Sequence, residues 1–194
     1  MATVLNWIVL LLVMVTATGL LLSRDWRWSL GLLAVQYIGI FWMIQTRWPA
    51  SMAATKLVCG WMACAILGIA QLNTIRTESS EDSWLQGRLF QVFAAGMVLA
   101  VTFALSLRLD TWLGMSLPVA WGSLLVIGLG LLHLGITAEP FQVILGLLTV
   151  MAGFEVIYAA VESSILVAAL LVAVNLGLAM AGAYFLTNTR EEKA

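Results

Sequence analysis

The feature that most constrains this chain is the length of its uncharged stretches. Six of them contain no Asp, Glu, Lys or Arg and run for 19 residues or more: 1–23, 28–46, 57–75, 89–107, 111–138 and 163–189. An α-helix needs about 20 apolar residues to cross the roughly 30 Å hydrocarbon core of a bilayer. Helices satisfy their backbone polar groups internally, which lipid cannot do. Strands of a membrane barrel would alternate polar and apolar residues, and these stretches do not.

Two further spans emerge when one buried charge is allowed in each, namely 51–71 with Lys56 and 141–161 with Glu155. The sequence therefore predicts an all-α integral membrane protein with about seven transmembrane helices, at 3–22, 28–46, 51–71, 88–107, 115–136, 141–161 and 164–187. We divide it into an N-terminal four-helix membrane region, 1–112, and a C-terminal three-helix membrane region with a short tail, 113–194.

Composition and loop length exclude several classes of protein. Hydrophobic residues make up 62% of the 194 residues and charged residues 10%, which excludes a soluble globular enzyme, a disordered chain and a basic nucleic-acid binder. The only sizeable predicted loop, 72–87, is too short for a catalytic domain. One histidine and two cysteines are too few for most haem or iron–sulfur sites. We therefore expect no catalytic centre, no metal and no cofactor in this chain, and the lipid bilayer as its surroundings.

The distribution of Lys and Arg predicts the orientation. Six basic residues fall on one predicted side: Arg24, Arg27, Arg76, Arg88, Arg190 and Lys193. The other side has Arg47 and Arg108. Because cytoplasmic loops carry the excess of basic residues, we expect the C-terminus in the cytoplasm and the N-terminus outside.

Glu155 is the first candidate functional residue. An ionisable side chain in the bilayer core costs on the order of 3 kcal/mol, so such residues are rare and are functional candidates by default. A carboxyl group in such surroundings can exchange a proton near neutral pH, as a proton relay requires. Tyr158 and Glu162 follow on the same helical face. The alternative is a structural Glu155 that bonds to a neighbouring helix.

Lys56 is the second candidate. It lies about five residues from the predicted outer end of its helix, and Glu155 about six residues from the same end of another. Their similar depth predicts an ion pair, which would offset much of the cost of burying each charge. The alternative is that Lys56 extends its long side chain to the outer interface.

The weaker candidates are further polar residues within the predicted helices: Gln36, Tyr37, His133, Thr149 and Asn175. Gln, Asn and Thr more often join membrane helices than carry out chemistry. His133 has a side chain suited to proton transfer, but an interfacial or structural histidine explains its position equally well.

Two stretches resemble the membrane arm of complex I and its hydrogenase relatives. The residues 113–187 resemble the three-helix K subunit of bacterial complex I, whose middle helix carries a Gly-Leu-Glu run matched here by Gly153-Phe154-Glu155. The N-terminal half is similar to component E of hydrogenase-4, with matches at Arg27, Ser29, Gly31, Ala34 and Gln36, and then at Thr55-Lys56. The K subunit also has a glutamate in its third helix, whereas this chain has no acid in 163–190 and Asn175 is the nearest polar residue.

This resemblance implies a non-catalytic subunit of a multisubunit complex in the cytoplasmic membrane of a prokaryote, with antiporter-like membrane proteins as partners. The complex would couple a redox reaction or an antiporter module to proton or sodium movement. Glu155 would then be a protonatable residue on the proton path, and Lys56 would adjust its proton affinity. Tyr158 and Gln36 would carry waters or hydrogen bonds between them. A self-contained small transporter and a structural or assembly protein are the alternatives.

Overall fold

The structure, a computed structural model, describes residues 2–23, 25–72 and 84–191, and every regular element in these ranges is an α-helix. The seven helices are α1 (Ala2–Leu22), α2 (Trp26–Gln45), α3 (Ala50–Leu72), α4 (Trp84–Leu113), α5 (Leu117–Ile136), α6 (Pro140–Val161) and α7 (Ile165–Glu191). Each contains a segment long and apolar enough to cross a membrane. The predicted all-α class and the predicted seven spans are confirmed, and the chain is a multi-pass membrane protein in its architecture.

The largest error in the predicted helix bounds concerns α4. The sequence predicts 88–107, but the helix runs over the 30 residues Trp84–Leu113. The predicted bounds coincide with the charged residues Arg88 and Arg108, but a charged residue does not end a helix, because the chain can remain helical beyond the hydrocarbon core. Helix α7 likewise continues to Glu191, beyond its predicted end at residue 187. The residues 73–83 of the predicted loop lie outside the described residues, as do Arg24 and Lys193.

Two prolines fix the beginnings of the helices in the C-terminal region. Pro118 lies in the first turn of α5 and Pro140 is the first residue of α6. A proline is favoured there because it has no backbone N–H to donate and its φ angle is already helical.

The connections 46–49, 114–116 and 162–164 meet at one end of the bundle, which we call the Trp48 end. The guanidinium of Arg47 donates to the carbonyl of Gly114, and the indole N–H of Trp48 donates to the carbonyl of Glu162 at 3.1 Å. Gly114 has a φ of 58°, a conformation that other residues rarely adopt. Ser23 and the connection 137–139 lie at the opposite end, which we call the His133 end.

The helices differ in how much of their surface is covered. In the membrane-spanning segment of α6, 56% of the residues are buried, against 17% in that of α4. Helix α6 packs against α5, α7 and α2, whereas α4 packs mainly against α5. Large apolar side chains such as Phe90, Phe93 and Val101 stay exposed on α4. In a bilayer these apolar side chains face lipid, as expected of a membrane protein.

Glycines bring the backbones of α5 and α6 into direct contact. A Cβ atom on Gly153 would lie 2.8 Å from the carbonyl oxygen of Ser123 and 3.0 Å from the backbone nitrogen of Ile127. A Cβ atom on Gly130 would lie 3.0 Å from the backbone nitrogen of Val150. These backbone contacts, which we call the α5–α6 seam, leave little space between the two helices. They hold α6 in place two residues from Glu155.

Candidate functional site

An ion pair lies inside the bundle between α3 and α6. The Nζ atom of Lys56 is 2.6 Å from Oε1 of Glu155, and the two residues are 3% and 2% exposed. The ion pair predicted from the similar depths of the two residues is therefore present. The alternative prediction, that Lys56 extends to the outer interface, is wrong. Both residues lie six positions from the Trp48 end of their helices, or about 9 Å along the helix axis.

Asn175 of α7 completes the cluster. Its Nδ2 atom donates to the same Oε1 of Glu155 at 2.8 Å, and the residue is 1% exposed. The carboxylate thus joins three helices through one oxygen. Its second oxygen, Oε2, has no partner among the described residues.

The packing of α3 on α7 explains why Lys56 and Asn175 reach the same oxygen. The thiol of Cys59 lies 3.6 Å from the carbonyl of Val172, so these two residues are at the same level. Lys56 is three residues before Cys59, and Asn175 is three residues after Val172. Since both helices run away from the Trp48 end, the two side chains approach Glu155 from opposite directions along the bundle axis.

Helix α2 contributes two further buried polar side chains, Gln36 and Tyr37. They are 1% and 2% exposed. The Tyr37 ring lies over α3 at Gly60, where a Cβ atom would come within 2.4 Å of the ring, and it is within electrostatic range of Glu155. The Tyr37 hydroxyl and both polar atoms of the Gln36 amide have no hydrogen-bond partner among the described residues.

Tyr158 and Glu162 lie between the ion pair and the Trp48 end. The ring of Tyr158 packs edge-on against Trp48, with centroids 6.3 Å apart, and its hydroxyl has no partner among the described residues. Glu162 is exposed and accepts a hydrogen bond from the backbone N–H of Ser163 at 3.2 Å. The predicted face Glu155–Tyr158–Glu162 therefore leads from the buried pair to the surface of the bundle.

His133 is not part of this cluster. Its Nε2 atom lies 3.0 Å from Oε1 of Gln142. The pair borders a cavity of about 330 Å³ at the His133 end, which Ser23, Gln91 and Glu139 also line. Gln142 is 13 residues before Glu155 on α6, or about 20 Å away along the helix. Thr149, between them, donates to its own helix at the carbonyl of Leu145, 2.8 Å away.

The structure thus brings together three of the residues predicted for the site, Lys56, Glu155 and Asn175, with Gln36 buried on the neighbouring α2. It places His133 at the other end. Sequence reasoning missed Gln142, although a polar residue in the first turn of an apolar helix, just across a short turn from the only histidine, is a usable signal. Among the described residues no group of three or more His, Cys, Asp or Glu side chains could hold a metal.

The fold and the cluster together define a class: a seven-helix membrane protein with an ion pair buried between three of its helices. Comparison with protein-family models, curated proteins and solved structures gives no significant match to the chain. The functional argument therefore depends on the chemistry of the cluster itself.

Proposed function

We propose that the chain is a non-catalytic membrane subunit of a multisubunit complex, related to complex I, hydrogenases or antiporters, and that its buried polar residues take part in proton translocation. The observation that carries the proposal is the Lys56–Glu155 pair, 3% and 2% exposed. Buried ion pairs seldom repay their desolvation in stability, and ionisable residues within membrane segments usually mark ion pathways.

The pair has the chemistry of a proton-exchange step. A proton that binds Glu155 at Oε2 cancels the negative charge and leaves the Lys56 ammonium as an unpaired buried cation. That cation is then driven to give up a proton or to find another anion. Each proton added to one member therefore favours proton release from the pair, and this is the property a relay needs.

Access to the pair supports the same function. On one side, Tyr158 and Glu162 lead towards the Trp48 end, which the basic residues predict to face outside. On another side, Lys56 borders a cavity of about 110 Å³ between α3 and α7, lined by Thr55, Ala168 and Val172 among others. A neighbouring membrane subunit at that opening would receive protons laterally from Lys56.

The candidate function with the next-best support is structural. Glu155 receives donors from both α3 and α7, as expected of a residue that holds three helices together. A self-contained transporter is the third candidate. The three candidate functions differ in the partners that they require and in how strongly ion translocation depends on the charge of Glu155.

The experiment is purification of the tagged native protein in mild detergent, with identification of every co-purifying chain. The proposal expects stoichiometric recovery with large multi-helix antiporter-like subunits. Recovery as a monomer or homo-oligomer would contradict the proposal and favour a transporter, which would then be active alone in liposomes. A complex that works normally with the double variant Glu155→Gln, Lys56→Met, which removes both charges together, would favour the structural role.

A further inference from the structure

We propose that the cavity at the His133 end binds the headgroup of a phospholipid that carries a primary ammonium, as phosphatidylethanolamine does. The site is independent of the proposed function, because neither Lys56, Glu155 nor Asn175 lines this cavity. Its depth in the membrane, its loosely packed side and its two kinds of polar group carry the assignment.

The cavity lies where the hydrocarbon core of a bilayer gives way to the headgroups. Four of its lining residues mark the ends of membrane-spanning segments: Ser23 directly follows the segment of α1, Gln91 is the third residue of that of α4, Thr137 follows that of α5, and Glu139 precedes that of α6. Lipid headgroups occupy this level of a bilayer. The cavity measures about 330 Å³, and one water takes up about 30 Å³ of the liquid, so a group much larger than water has room here.

Helices α1 and α4 pack only loosely beside the cavity. Leu21 of α1 and Gln91 of α4 both line it, but α4 packs mainly against α5 and only slightly against α1. Phe90, the neighbour of Gln91, is exposed, and Ile136 is an apolar part of the cavity wall. A lipid can therefore enter from the side, with its acyl chains against these apolar residues and its headgroup in the cavity.

His133 and Gln142 form the buried polar wall of the cavity, at 5% and 9% exposure. Oε1 of Gln142 is an acceptor, so the Nε2–H group of His133 donates to it across 3.0 Å. The Nε2 group of Gln142 can donate two hydrogen bonds and has no partner among the described residues. It lies in the first turn of α6, where the helix dipole also favours an anion. This wall therefore suits the phosphate of a headgroup.

Glu139 supplies a negative charge at the same cavity. Its carboxylate makes no capping hydrogen bond to α6, and no ion pair among the described residues involves it. The C-terminal ends of α1 and α5 also meet the cavity, at Leu21 and Ile136, and helix C-termini carry partial negative charge. This side suits a cation, and a primary ammonium can donate three hydrogen bonds to such acceptors.

The two sides together identify the ligand class. A simple anion would satisfy the Nε2 group of Gln142 but would face the Glu139 carboxylate. A simple cation would satisfy Glu139 but leave the donors of Gln142 without an acceptor. A phosphoethanolamine headgroup carries a phosphate and a primary ammonium a short chain apart, so it satisfies both sides at once.

Retention of lipid by the intact protein tests the proposal. Nanodiscs are made with equal parts of phosphatidylethanolamine, phosphatidylcholine and phosphatidylglycerol, and native mass spectrometry then counts the lipids that stay bound to the released protein. We expect phosphatidylethanolamine to be retained about five times more often than phosphatidylcholine, whose quaternary ammonium has no N–H to donate. Equal retention of the three lipids would overturn the proposal.

A pair of variants locates the bound lipid. Glu139→Gln keeps the shape of the side chain but removes its charge, so we expect the preference for phosphatidylethanolamine to disappear. Glu162→Gln is the matched control, because Glu162 is an exposed carboxylate at the opposite end of the same helix, and it should keep the preference. An unchanged preference in Glu139→Gln, or an equal loss in both variants, would contradict a site at this cavity.

Thermal unfolding of the delipidated protein in detergent distinguishes a lipid from a soluble amine. Added phosphatidylethanolamine should raise the melting temperature by about 2–4 °C. Glycerophosphoethanolamine, which has the same headgroup without acyl chains, should not raise it at the same concentration, because the apolar contacts are lost. An equal rise with both would overturn the assignment of a lipid. These experiments measure neither translocation nor partner subunits, so failure of the proposed function would leave their results intact.

Discussion

The molecule has two buried polar clusters that differ in charge and in depth. The Lys56 cluster, formed by Lys56, Glu155 and Asn175, is charged and lies within the membrane-spanning part of three helices. The His133–Gln142 pair lies at the end of two helices and borders a cavity of about 330 Å³ with polar walls. Lys56, Glu155, Asn175 and His133 were all candidates from the sequence, whereas Gln142 was not. The comparison teaches that depth and charge, more than polarity, single out the residues that demand a functional explanation.

The α5–α6 seam lies between these two clusters. The backbone contacts at Gly130 and Gly153 leave little space for water there, and Thr149 uses its hydroxyl within its own helix. A route along α6 from His133 to Glu155 therefore has no continuous line of polar groups among the described residues. The proposed access to the Lys56 cluster is instead from the Trp48 end, past Tyr158 and Glu162, and through the cavity between α3 and α7.

The largest expected effect is on the ion pair. Glu155→Gln leaves Lys56 as a buried unpaired charge, and we expect a loss of about 3–5 kcal/mol in the free energy of unfolding. The double variant Glu155→Gln, Lys56→Met removes both charges and should recover most of that loss. Unfolding by sodium dodecyl sulfate in mixed micelles measures both. Simple additivity of the two single variants would show that the residues do not interact.

A smaller effect is expected at Asn175. Asn175→Leu removes one of the two donors to Oε1 of Glu155, and a hydrogen bond to a charged group contributes about 1.5–3 kcal/mol. Asn188→Leu is the control, because Asn188 is exposed on the same helix. An Asn175→Leu protein as stable as the control would mean that α7 does not hold the carboxylate.

The seam between the clusters can be tested with two glycines. Gly153→Ala places a Cβ atom 2.8 Å from the Ser123 carbonyl, and overpacking of this kind costs about 1–3 kcal/mol. Gly177→Ala is the matched control, since no atom lies within 4 Å of its added Cβ. Equal stability of the two variants in the same unfolding assay would show that α5 and α6 are not in backbone contact.

The smallest effect is expected at the His133 end. Gln142→Leu removes a hydrogen bond between neutral groups beside a cavity, and such bonds between membrane helices average about 0.6 kcal/mol. We also expect assembly with partner subunits and ion translocation to continue in this variant. Loss of translocation with stability intact would place His133–Gln142 on the ion path and remove the contrast between the clusters.

Much of the fold was predictable because membrane helices are specified by runs of apolar residues. The Lys56–Glu155 pair was also predictable, since the connections fix the depth of each residue. The donation from Asn175 to the same oxygen was not, because it depends on the register of α3 against α7 at Cys59 and Val172. Tyr37 was a weak candidate for a similar reason: its closeness to Glu155 depends on the glycine at position 60 of another helix.

The measurement that tests the central claim most directly is proton translocation by the complex that carries the double variant Glu155→Gln, Lys56→Met. This variant keeps the shape of the cluster and most of its stability, so the complex should assemble with all its subunits. The assay uses liposomes that contain a pH-sensitive dye, and the reaction of the co-purifying subunits drives translocation. We expect no proton movement in this variant, whether or not the driving reaction continues. Proton translocation at the wild-type rate would contradict the account.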